Sequence, residues 1–272
     1  KRNIKMDQNN MRLFRTSFAG LLIRKLCFLS FLFVSVNSAA LDDGTWTYQL
    51  WGDSVSVTGC SGTCPSELII PNIIAGKRVT SINSKAFYFK GLTSLTLPDS
   101  LIIIHQQAFE SNGLSSVIIP NSVKFIQPNA FARNRLTSIT LPTQSIARRA
   151  FKFNPLRRIE ILPSVSSIGQ EAFARGGALV EVSFLGNRPG IAAGNYSAFH
   201  SSGSGFTISY CEGLVGWPGE DISGVTPVLD DKCDTDGDGI TNGNDAFPSD
   251  PSEIMDSDGD GMGDNADVFP FD

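Results

Sequence analysis

Between Val79 and Leu185 the apolar positions recur with a period close to 22 residues. Ala-Phe stands at Ala86–Phe87, Ala108–Phe109, Ala130–Phe131, Ala150–Phe151 and Ala172–Phe173, in steps of 22, 22, 20 and 22. Four residues before each alanine is an isoleucine: Ile82, Ile104, Ile126, Ile146 and Ile168. After each phenylalanine comes an apolar run opened by Leu92, Leu114, Leu136, Leu156 or Leu179. In Leu95-Thr96-Leu97 and Ile139-Thr140-Leu141 apolar residues alternate with threonine, the pattern of a short strand with one buried face. Pro98, Pro120, Pro142 and Pro163 then end the first four runs, because proline has no ladder donor. A fixed period of this length means one supersecondary unit per copy, stacked so that neighbours bury what one copy cannot. The pattern predicts a mainly β solenoid of short strands and turns, with the alanine where the backbone passes too close for a larger side chain. Burying each Phe contributes roughly 1.5–3 kcal/mol.

The phrase SVxxIxxxAFxxNxLTSIxLP, carried by residues 122–131 and 134–142, resembles the BspA-like class of bacterial leucine-rich repeats. With its caps the resemblance covers residues 44–229. It implies a leucine-rich-repeat solenoid in an exported or surface protein, a binding or adhesive role, and no catalysis. The chain departs from the pattern at residues 142–150, where two residues are missing, and at the degraded Ala198–Phe199 copy.

The remaining segments fall on either side of the repeats. The chain opens on Lys1, and Met11 reads better than Met6 as a start. Arg12, Arg15, Arg24 and Lys25 form a basic leader, followed by the apolar run LCFLSFLFVSV and Ser38-Ala39-Ala40. This reads as a secretory signal cleaved after Ala40, since a membrane span needs about 20 apolar residues. Cys27 lacks the small neighbours of a lipidation site. The expected organisation is a signal over 1–40, an N-terminal cap over 41–78, the solenoid over 79–185, a C-terminal cap over 186–229 and a tail over 230–272. The overall charge of −5 hides two objects. Residues 230–272 hold 13 Asp, one Glu and one Lys, whereas residues 41–229 are nearly neutral.

Four cysteines follow the signal: Cys60, Cys64, Cys211 and Cys233. Four thiols allow three pairings, of which Cys60–Cys64 in the entry segment and Cys211–Cys233 at the exit are favoured. A zinc site is the competing reading and lacks a second close cysteine pair or a histidine pair. Bridges at both ends suit a solenoid, whose core is otherwise open there. Trp46, Tyr48, Trp51 and Trp217 are expected to cover those ends.

The tail carries DTDGDGITNGND at 234–245 and DSDGDGMGDNAD at 256–267, in register 22 residues apart. Each fits the calcium loop D-x-D-x-D-G, because calcium takes about six to eight hard oxygens. The candidate ligands are Asp234, Asp236, Asp238, Ile240 (carbonyl), Asn242 and Asp245, then Asp256, Asp258, Asp260, Met262 (carbonyl), Asp264 and Asp267. Gly239 and Gly261 stand where the loop turns sharply. Pro248 and Pro270 follow at once and argue against a following helix. The loops therefore resemble thrombospondin type 3 repeats, in which aspartate loops wind around calcium ions. Where that family commonly has a cysteine, Phe247 and Phe269 stand here, so hydrophobic packing is expected to replace the disulfide. A dockerin-like docking module, also a duplicated calcium loop, is the runner-up.

His105 and His200 have no nucleophile, carboxylate or metal-ligand spacing beside them, and no phosphate loop occurs, so no enzyme is expected. Arg133, Arg135, Arg148, Arg149, Lys152, Arg157 and Arg158 gather in the third and fourth copies. Of these, Arg148, Arg149, Lys152, Arg157 and Arg158 are candidates for gripping an acidic polysaccharide or lipid phosphate; a solvated charged face is the plainer alternative. The expectation is a secreted or surface protein with Ca²⁺ and an extracellular protein or glycan as partners, without nucleic acid and without a span in the mature chain. The competing class is a calcium-stiffened structural component.

Overall fold

Both apolar registers become ladders. The computed structural model describes residues 40–193, 197–203, 205–211, 214–217, 221–230, 233–234, 240–247 and 250–271. The leader, with Met6, Met11 and Cys27, lies outside the described residues up to residue 39. Strands Lys77–Ile82, Ile103–Ile104, Phe125–Ile126, Ser145–Ile146, Ser167–Ile168 and Gly190–Ile191 stack in parallel. Ile82, Ile104, Ile126, Ile146, Ile168 and Ile191 face one another rung by rung. A second parallel ladder holds Ser138–Leu141, Arg158–Ile161, Glu181–Phe184, Thr207–Tyr210 and Val228–Leu229. Its first strand alternates exposed and buried residues, as the threonine spacing predicts. Upstream, Glu67–Ile69 pairs with Ser94–Thr96. Residues 116–119 form no strand, although Val117 and Ile119 are buried like their counterparts.

Between the ladders runs a column of phenylalanines. Phe87, Phe109, Phe131, Phe151, Phe173 and Phe199 stack with centroids 5.4, 5.2, 5.4, 5.7 and 5.3 Å apart, all nearly parallel. The degraded copy thus keeps its place through Phe199. The first five of these residues also hang from the next coil: the amide of Phe109 donates to Ala130 O and that of Phe131 to Ala150 O, both at 2.8 Å. Ala108, Ala130, Ala150 and Ala172 are wholly buried at these crossings, which is why nothing larger stands there.

The shortened copy is absorbed in one turn. Thr143, fully buried, donates its hydroxyl to Lys124 O at 2.8 Å. The amides of Gln144 and Ser145 converge on the same carbonyl. Ser145 then regains register with Phe125 and Ser167.

At the front, Leu41–Asp42, Trp46–Trp51 and Ser54–Cys60 form an antiparallel meander whose last strand joins Lys77–Ile82 in parallel. Trp46 meets Phe87 edge-on at 6.4 Å, and Tyr48 is buried. Trp51 departs from the expectation: it pairs with Ser54 beside the hairpin turn and stands 65% exposed. At the back, Trp217 stacks on Tyr210 at 4.9 Å, tilts against Phe184 and donates its indole N–H to Gly186 O. The favoured disulfides are those formed, Cys60–Cys64 and Cys211–Cys233, the second tying the strand Thr207–Tyr210 to the start of the tail.

Candidate functional site

Three residues after the stacked phenylalanines, an asparagine ties coils together. Asn134 is buried; its amide N–H₂ donates to Phe109 O and Phe131 O at 2.9 and 3.1 Å, and its carbonyl accepts from the Leu114 amide at 3.2 Å. Asn112 and Asn154 repeat the arrangement one coil to either side. This brace keeps the turns at a fixed height and so fixes where turn side chains emerge.

The basic residues do not make one ridge. Arg149 and Lys152 emerge on the turn side, where both donate to Glu171 of the next coil. Lys152 is buried by this pairing, with only 7% of its surface exposed, so its ammonium is not free to hold a ligand. Burial alone would raise the Glu171 carboxyl, but the Lys152 and Arg149 donors outweigh it and hold it at about 2. Arg148 is exposed beside them. Arg157 and Arg158 belong to the other ladder, where Arg158 faces Glu181 at 3.4 Å. Arg158 borders an open groove of about 710 Å³ that is also lined by Glu160, Glu181 and Asp230, so acids outnumber bases there.

In the tail, the second aspartate loop closes on itself. Carboxylate oxygens of Asp256, Asp258 and Asp260 lie within 4.8 Å of one another. Asp256 is fixed by the amides of Gly259 and Gly261, at 2.7 and 3.0 Å. Gly261 needs its missing Cβ here, since its φ is +92°. Asp260 accepts from the Met262 amide at 2.8 Å, Asp264 is held by the amide and hydroxyl of Ser257, and Asp267 accepts from the Phe269 amide. Glu253 is buried beneath the loop and accepts from the Asn265 amide at 3.0 Å. A Cβ at Gly263 would strike its carboxylate.

Of the first loop, Asp236, Asp238 and Gly239 lie outside the described residues. Asp234 and Ile240 are described, and Asn242 opens the short 3₁₀ turn Asn242–Asn244. Asp245 is 8% exposed; one oxygen accepts from the Phe247 amide at 2.9 Å, and the other is buried with no hydrogen-bond partner among the described residues. A buried, unpaired carboxylate oxygen calls for a cation or donor, so the residue set fits a divalent ion. Phe269 does not pack as expected in place of a disulfide: it is 66% exposed, while Phe247 is half-buried.

The repeat geometry has a counterpart among known families. The sequence matches the BspA type leucine rich repeat region in six copies over residues 66–202. The chain belongs to the BspA-type leucine-rich-repeat family. No curated protein matches the chain. Among solved structures it is similar to the pneumococcal vaccine antigen PcpA, at 18% identity and TM-score 0.36, over 71% of this chain and 47% of that one. The chain thus spans less than half of that antigen's length. It is also similar to a Treponema pallidum (T. pallidum) leucine rich repeat protein, at 21% identity and TM-score 0.37, over 70% of this chain and 81% of the other. A leucine rich cell surface protein of Faecalibacterium prausnitzii follows at 16% and 0.35, over 72% and 75%.

Within the BspA-type coils His105 occupies a turn, where its Nδ1 lies 3.2 Å from Gln127 Oε1. His200 sits in the sixth turn. Among the described residues no helix is long and apolar enough to cross a membrane. Sequence reasoning missed Glu171, Phe153, Arg175 and Glu253. The signal for the first three was the 22-residue period itself, which places position 171 over 149 and puts 133, 153 and 175 in one line.

Proposed function

We propose that the chain is an exported cell-surface repeat protein that binds an extracellular ligand on its solenoid and takes up calcium through the aspartate loops of its tail. The convergence of Asp256, Asp258 and Asp260 within 4.8 Å carries the calcium reading. Three like charges so close repel by about 1 kcal/mol per pair even in water, and a divalent cation turns that repulsion into attraction. The buried free oxygen of Asp245 supports the same reading for the first loop. Calcium supplies charge and a coordination centre that orders the loops. The residues that would hold it are Asp256, Asp258, Asp260, the Met262 carbonyl, Asp264 and Asp267, with Asp234, Asp236, Asp238, the Ile240 carbonyl, Asn242 and Asp245 in the other loop. On the solenoid, core positions are fixed by the ladders while the outward positions are free to vary, the arrangement of a binding surface.

A screen of glycans and extracellular proteins against the full chain, with calcium and with chelator, tests the whole reading. A saturable ligand is expected. Calcium uptake with no ligand at all would leave a calcium-stiffened structural component in its place.

A further inference from the structure

Two residues after each stacked phenylalanine the backbone turns left-handed. Phe89, Ser111, Arg133, Phe153, Arg175 and Ser201 share φ between +52° and +62°. Such uniformity outside glycine makes this a rung position, repeated at the coil spacing of about 4.8 Å. On three successive coils it carries Arg133, Phe153 and Arg175. The Arg133 guanidinium carbon lies 4.7 Å from the Phe153 ring centre and that of Arg175 at 5.9 Å. The Lys152 ammonium lies 5.3 Å from the same centre.

A guanidinium resting on an aromatic face keeps its in-plane N–H donors free while losing rotamer freedom. Little nearby charge consumes those donors. Glu110 reaches Arg133 only at 3.8 Å and also accepts from Gln107. Glu171 is taken by Arg149 and Lys152. Among the described residues no carboxylate comes within ion-pair distance of Arg175. These groups border a notch of about 350 Å³. Its four cations exceed the carboxylates of Glu110 and Glu171 by two charges.

We propose that the Arg133–Phe153–Arg175 rung binds a short acidic oligosaccharide, one oxyanion group at each guanidinium. This rests on the extracellular-ligand reading above. Positions 133 and 175 are two rungs apart, about 9.6 Å, too far for one oxyanion to satisfy both forks. The ligand therefore carries two oxyanion groups separated by a less polar stretch, which lies along the exposed edge of Phe153. The notch volume suits a few sugar rings. A long, densely charged polymer such as nucleic acid is disfavoured, because the tail adds 13 aspartates to the same molecule.

The test uses the full chain in isothermal titration with a sulfated heparin-type tetrasaccharide, a uronate tetrasaccharide, sodium sulfate and a short single-stranded DNA. Arg133→Asn with Arg175→Asn removes the forks while keeping a residue that tolerates left-handed backbone. This double variant is expected to lose at least tenfold in affinity with an unchanged melting temperature. Phe153→Leu is expected to lose three- to tenfold, and Arg157→Gln with Arg158→Gln nothing. Whichever of the sulfated and uronate probes binds tighter names the oxyanion. Sulfate as tight as the tetrasaccharide, DNA tighter than either sugar, or no sugar binding would overturn the proposal. So would a double variant that binds like the parent. If the broad screen still finds a ligand in those cases, the extracellular-binding reading survives; an empty screen removes both.

Discussion

Replacing Asn134 with leucine should be among the most damaging conservative-volume changes in the chain. The side chain is 6% exposed and makes three good hydrogen bonds, to the Leu114 amide and the Phe109 and Phe131 carbonyls. Leucine fills similar space but leaves the buried Leu114 amide without a partner, while the Phe109 and Phe131 carbonyls each lose one of two donors and keep Asn112 and Asn154. The orphaned amide costs about 1–3 kcal/mol and each lost carbonyl bond about 0.5–1.5 kcal/mol, offset by about 2 kcal/mol of leucine burial. The expected loss is about 2 kcal/mol, a sizeable fraction of a domain stability of about 5–15 kcal/mol. Asn112 makes the same bonds nearer the surface and is only half-buried, so water can replace part of what Asn112→Leu removes, and about half the loss is expected. The assay is equilibrium urea unfolding of the two variants and the parent, read from the midpoint at constant slope. A loss below about 1 kcal/mol for Asn134→Leu, or equal losses at both sites, would refute the reasoning that inter-coil amide bonds set the coil height.

Other consequences follow from the same coils. Phe131→Ala removes a fully buried ring stacked on both sides, at 5.2 and 5.4 Å, and should cost about 3–5 kcal/mol in the same urea assay. An unaltered midpoint would mean the column is not a packed core. Glu171 has its carboxyl lowered from 4.5 to about 2 in the folded protein. Its stabilisation is therefore complete above pH 4.5 and fades as pH falls towards 2, because the unfolded chain takes up the proton first. Between pH 5 and 3 the parent should lose more of its melting temperature than Glu171→Gln does, and parallel slopes would contradict the pairing with Lys152 and Arg149.

The period made most of the fold legible. Ala-Phe, the preceding isoleucine and the leucine-opened runs each demand the same environment in every copy, and a repeated demand survives local variation. The shortened copy did no harm because the Gln144 and Ser145 amides still reach Lys124 O, as the Lys124 and Phe125 amides reach Ile102 O one coil earlier, and the Thr143 hydroxyl adds a third donor. Features set by one neighbour were harder to read. Residues 116–119 have the strand pattern yet join no ladder, and Trp51 looks like a cap but has no apolar partner opposite it. The basic cluster misled because residues close in sequence, such as Lys152 and Arg158, leave the coil on different faces. Glu171, which buries Lys152, comes from a coil 19 residues away. In the tail the aspartate spacing was plain, whereas Glu253 lies between the two motifs and is tied in by the fold of the second loop, through the Asn265 amide.

Calcium titration of the full chain by calorimetry bears most directly on the functional reading. The parent should take up calcium saturably, with dissociation constants no weaker than about 10⁻³ M. Asp256→Asn with Asp258→Asn and Asp260→Asn should abolish the second loop's share while the solenoid unfolds as before. Absence of uptake at millimolar calcium, or a triple variant that binds as much as the parent, would contradict it.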